Sequence, residues 1–161
     1  MAFSLTPFTR NDTHGYTNTR VGETKIGQSI SLLSSAHELK NELNSFSGKF
    51  CLLGIPEDIG PVANLGKTGA AGMYADFLGY FLNMQDNRFL SGADILLLGA
   101  VKIDDLLQKA AKLSAKNEDE LHELRLLVAE IDRRVFPIIQ EIVAAGKIPI
   151  VIGGGHNNAY P

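Results

Sequence analysis

A chain of 161 residues, 45% hydrophobic and 20% charged with a net charge of −3, has the length and make-up of one globular domain able to bury a sizeable core. The weakly acidic balance offers no electrostatic footprint for nucleic acid or an anionic membrane, and no apolar run reaches the length of a membrane-spanning helix. The N-terminus has no basic-then-apolar signal pattern, and the single cysteine, Cys51, cannot form an internal disulfide; both suit a cytoplasmic location.

Residues 1 to 30 are polar and without sustained period, which predicts an arm over the surface or over a neighbouring subunit of a homo-oligomer. Residues 31 to 161 then read as a single α/β unit. Leu32, Leu33, Ala36, Leu39 and Leu43 recur at helical spacing and predict a helix from Ser31 to Leu43. Phe50 to Pro56 is apolar enough for a strand buried on both faces, with Cys51 as a buried structural thiol. A loop from Glu57 to Gly72 follows, rich in glycine and leaving a strand end, as binding loops do. Its Gly66-Lys67-Thr68 is not a phosphate-binding loop: the motif needs a glycine five residues before Gly66, and Pro61 stands there. Met73 to Gln85 predicts a helix with Tyr74, Phe77, Leu78, Phe81 and Leu82 on one face, and Asp94 to Val101 a second buried strand.

Lys102 to Ala115 reads as a short helix or irregular region. The longest helix starts at Asn117, where Asn117 and Glu120 predict a reciprocal cap, and stops at Gly146. Its apolar stripe runs from Leu121 to Ile142; Pro137 should kink it or loosen one turn, while His122, Asp132, Arg133 and Arg134 fall on a solvated face. Ile148-Pro149-Ile150-Val151-Ile152 is then a third buried strand, followed by the turn Gly153-Gly154-Gly155 and by His156. In parallel α/β sheets, ligands bind beyond the carboxyl ends of the strands, where this imidazole should sit. It can be a metal ligand or simply an exposed residue after a Gly-rich turn; a lone histidine leaves both open.

Ile150-Val151-Ile152-Gly153-Gly154-Gly155-His156 resembles the first metal-binding motif of the ureohydrolase family, which includes arginase, agmatinase and formimidoylglutamase. Gly54-Ile55-Pro56-Glu57-Asp58-Ile59-Gly60-Pro61 with Ala63-Asn64-Leu65-Gly66, then Phe81-Leu82-Asn83-Met84-Gln85 and Ile95-Leu96-Leu97-Leu98-Gly99, are similar to the formimidoylglutamase branch in particular. The resemblance implies a three-layer α/β/α parallel-sheet sandwich of arginase/deacetylase type, with only the first three strands of its sheet in this chain. It also implies hydrolysis of a guanidino or formimidoyl C–N bond in a small amidine or guanidine substrate, by hydroxide held between two Mn²⁺ ions. Metal coordination makes hydroxide available at neutral pH, which a poorly electrophilic amidine carbon requires.

By that resemblance His156 is a manganese ligand. The family's Asp-x-His-x-Asp and Asp-x-Asp motifs do not occur here, so the chain is expected to be an N-terminal portion, inactive alone, with an incomplete metal site. Asn64, Lys67 and Asn157 are candidate substrate contacts; Asn157 departs from the residues often found there in the family. A non-catalytic α/β module binding a small molecule or a partner is the alternative. A nucleotide-binding half-domain is disfavoured because no G-x-G-x-x-G follows the first strand.

Overall fold

A computed structural model describes residues 3–161. The strands are β1 (Leu5–Thr6), β2 (Ser31–Leu32), β3 (Phe50–Gly54), β4 (Ile95–Val101) and β5 (Ile148–Ile152). The helices are α1 (Arg10–Tyr16), α2 (Ile26–Ser29), α3 (Leu39–Ser45), α4 (Ile59–Ala63), α5 (Met73–Phe81), α6 (Asp104–Ala110) and α7 (Glu118–Ala144), with short 3₁₀ turns at Ala70–Gly72, Gly92–Asp94 and His156–Ala159. The five strands form one open, mostly parallel sheet in the order β1-β4-β3-β5, with β2 also on β4. β3 is central and pairs in parallel with both β4 and β5, so the three long strands lie in the order second, first, third that right-handed crossovers allow.

Alternation along these strands sends side chains to two cores. Cys51, Leu53, Leu96 and Leu98 face a cluster with Leu39, Leu43, Ile59, Leu106 and the α7 stripe. Leu52, Ile95 and Leu97 face a second cluster with Ile26, Ile30, Tyr74, Leu78 and Leu82. The stripe residues Leu124, Ile131, Val135, Ile138 and Ile142 are all buried. At about 1.5–3 kcal/mol for each such side chain removed from water, α7 is the principal cover of its face.

Residues 3–30 pack into the domain. β1 adds antiparallel to β4, with Leu5 opposite Val101, and Leu5, Ile26 and Ile30 are buried. Each apolar residue docks singly, so no period marks it in the sequence. The helix expected from Ser31 starts only at Leu39, because Ser31–Leu32 pairs in parallel with β4. Between them the Ser34 amide donates to Glu42 Oε1 at 3.0 Å, which turns the chain into α3.

Asn117 caps α7 as expected, accepting from the Glu120 amide at 3.1 Å. The reciprocal half is absent: the Glu120 carboxylate accepts instead from the Ser114 amide at 2.6 Å. α7 runs unbroken through Pro137 to Ala144, and Gly146, at φ 71°, ends the turn that follows. Nor are Asp132 and Arg134 merely solvated. Arg134 reaches across to Asp105 with two parallel hydrogen bonds of 2.7 and 2.8 Å, tying α7 to α6, and Asp132 Oδ1 is buried. Arg133 and His122 are exposed.

β5 is the free edge of the sheet. The Ile148 amide donates to Lys49 O at 2.9 Å and Ile152 O accepts from the Ile55 amide at 3.0 Å. Backbone groups of Ile148, Ile150 and Ile152 therefore turn toward β3, and those of Pro149 and Val151 turn outward. Proline's missing donor falls on the side where no ladder bond is lost, as expected of an edge strand.

Candidate functional site

The site is assembled where β3 and β5 end side by side. After β3 the chain enters Pro56-Glu57-Asp58 and α4; after β5 it turns through Gly153-Gly154-Gly155 into His156. The loop from Glu57 to Gly72 and His156 thus share one mouth. A cavity of about 530 Å³ lies there, lined by Gly60, Pro61, Asn64, Arg125, His156 and Asn157 among others. Of the candidate contacts, Asn64, Asn157 and His156 are on its wall. Lys67 is exposed and does not line it, which leaves it on the outer part of the loop.

That outer part is held by Asp58, whose Oδ1 accepts from the amides of Gly69 at 2.9 Å and Ala71 at 3.1 Å. Within it α4 ends by Gly66 donating to Pro61 O at 2.8 Å, with Leu65 left-handed at φ 59°. A stretch read as loop from its glycine content therefore contains a helix and a carboxylate-pinned turn.

The group the sequence reading passed over is Glu57. It is fully buried. Its Oε2 accepts from the Gly60 amide at 2.7 Å; its Oε1 accepts from the Gly155 amide and from Asn158 Nδ2 at 3.0 Å. One carboxylate thus binds the start of α4 to the turn that presents His156. The available signal was its place three residues before Gly60 at a helix start, where carboxylates accept from free backbone amides.

The turn glycines answer to this crowding. Gly154 sits at φ 79°, and a Cβ there would lie 2.7 Å from Ile55 O and 2.2 Å from Asn158 Nδ2. Gly155 has ordinary extended backbone, yet a Cβ would lie 2.3 Å from Asn157 Oδ1. On the other side of the turn, Tyr74 is buried with its hydroxyl donating to Gly99 O at 2.9 Å, and burial pushes its pKa up.

Asn157 Nδ2 donates to Asn158 Oδ1 at 3.2 Å, while Asn157 Oδ1 and Asp132 Oδ1 are buried without hydrogen-bond partners. Burial raises the pKa of Asp132 from its ordinary value, opposed by a contact with Asn157 and aided by the Glu57 carboxylate. Cys51 is buried on β3, and burial pushes its thiol up to about 11, as a structural thiol should be.

Metal-binding capacity at this mouth rests on few groups. Among the described residues no three His, Cys, Asp or Glu side chains gather where they could share an ion. Glu57 is buried with both oxygens engaged, so His156 is the one imidazole the mouth offers. One imidazole does not hold two divalent ions, and the residues present do not by themselves make a manganese centre. No helix of the described residues is long and apolar enough to cross a membrane. No family model, curated protein or solved structure matches the chain to a significant degree.

Proposed function

We propose that this chain is an N-terminal portion of a manganese-dependent hydrolase of guanidino or formimidoyl C–N bonds, of formimidoylglutamase or arginase type, built on a three-layer α/β/α sandwich. The observation that carries the reading is the Gly-Gly-Gly-His turn at the carboxyl end of β5, opening with Asn64 and Asn157 onto one cavity. Parallel sheets place their ligands at that end, and two of the stretches that resemble the family, residues 54–66 and 150–156, meet there. In this reading His156 is one ligand of the metal centre, and the others come from chain beyond the described residues. The ions would supply hydroxide at neutral pH. This chain's own contribution is to place an imidazole and two carboxamides around a small-molecule cavity. The carboxamide oxygens of Asn64 and Asn157 suit a planar amidinium or guanidinium, whose N–H groups are all donors and need acceptors around their plane.

The test is hydrolysis by the longer protein this reading requires. With Mn²⁺ present, formimidoyl-L-glutamate, L-arginine and agmatine are offered in turn, and formamide or urea is measured. One of them should be turned over, and His156→Ala should lower metal content and rate together, by at least a hundredfold in rate. Unchanged metal content and rate in His156→Ala would overturn the assignment. Ligand binding without turnover of any amidine would favour a non-catalytic binding module.

A further inference from the structure

We propose that Glu57 is a positioning residue for the working end of β5: its carboxylate, without touching substrate, holds the turn so that His156 and Asn157 face the cavity. The inference rests on the reading that His156 is a working group, and it goes beyond that reading in naming what places it.

Four observations carry it. Glu57 is fully buried, and the three donors that satisfy it are the neutral groups Gly60 N, Gly155 N and Asn158 Nδ2. A buried carboxylate bonded in this way is fixed in place by all its partners at once, since loss of any one leaves charge unsatisfied. Those partners belong to two strand ends far apart in sequence, so the carboxylate is the joint between them. Two of them, Gly155 and Asn158, flank His156 and Asn157 directly. Finally, Glu57 is absent from the cavity wall that His156 and Asn157 line, which separates it from any reacting atom. The imidazole's place is thereby set by the protein alone, before any ion or substrate arrives.

The experiment uses the 161-residue chain with neither metal nor substrate. Failure of the hydrolase reading leaves this test untouched, and failure here leaves turnover to be judged on its own. Glu57→Gln keeps the size but sets an NH₂ group against either the Gly60 or the Gly155 amide. By ¹H–¹⁵N and imidazole ¹H–¹³C spectra, the Gly155 amide and the His156 ring signals should shift. Exchange of the Gly155 and Asn158 amides should rise about tenfold or more, with Leu52 and Leu97 in the sheet unchanged. Asn158→Asp is the second variant: it sets two carboxylates face to face and should loosen the same residues, so it decides the matter if Glu57→Gln does not fold. Modification of His156 by diethyl pyrocarbonate should change rate in both variants while His37, exposed ahead of α3, keeps its own. A folded variant of either kind with unchanged His156 signals, unchanged Gly155 exchange and unchanged His156 modification overturns the proposal.

Discussion

Gly154→Ala isolates how rigidly the turn is held. Two terms act on it. At φ 79° an alanine carries the left-handed penalty of about 1–2 kcal/mol. Its Cβ would also stand 2.7 Å from the Ile55 carbonyl oxygen, 2.8 Å from Glu57 Oε1 and 2.2 Å from Asn158 Nδ2. The first is backbone one residue past β3 that accepts from the Glu57 amide, and the other two are bonded to each other, so none retreats freely; overpacking of this kind costs about 1–3 kcal/mol. Breaking the Asn158–Glu57 bond adds about 1.5–3 kcal/mol if the turn shifts instead. We expect a net loss of about 2–5 kcal/mol, or a fall in Tm of about 4–20 °C for a domain of this size. Two substitutions calibrate it. Gly146→Ala meets a similar φ of 71° with nothing within 4 Å and should lose only about 1–2 kcal/mol. Gly79→Ala, inside α5 with nothing within 4 Å, should gain about 0.5–1 kcal/mol. Urea unfolding followed by far-UV circular dichroism measures all three. If Gly154→Ala loses no more than Gly146→Ala, the neighbours yield and the turn is not the rigid joint described here.

Asp105 is the clearest acid-sensitive contact: its hydrogen bonds to Arg134 lower its pKa from 3.8 to about 2. A depressed carboxylate stabilises the fold above the unfolded value and loses that contribution as pH falls through the folded one, so the window is pH 4 to 2. With Asp105 half exposed, solvent screening leaves about 0.5–1 kcal/mol, and Asp105→Asn should flatten the stability–pH curve in that window; an unaltered slope would refute the assignment. Cys51 should react with iodoacetamide at pH 8 only as fast as the protein opens, and native-state labelling at the rate of a free thiol would contradict its burial. The free edge of β5 should make the chain self-associate in size-exclusion chromatography with light scattering, and Ile148→Lys should suppress it. A stable monomer at high concentration, with slow exchange of the Val151 amide, would mean that the edge is covered.

Legibility in the sequence followed the range of the interactions. The apolar runs of β3, β4 and β5 and the period-3.6 stripe of α7 are local, so these elements, the Asn117 cap and the Gly146 stop could be read directly; right-handed crossovers only allow the order β4-β3-β5, and folding selects it. The turn presenting His156 was legible for the same reason: three glycines after an apolar strand admit few conformations. What folding alone decided was built from single residues. β1 and α2 dock through Leu5, Ile26 and Ile30, each without a period to announce it, and β2 replaced the first part of an expected helix because β4 offered it a ladder. Glu57 shows the limit most sharply. Its partners Gly155 and Asn158 lie about a hundred positions away, so its one local mark, the helix start that includes Gly60, does not tell a buried acid from an exposed one. Only when β3 and β5 lie side by side do three donors converge on it, and only then does a carboxylate become stable without water.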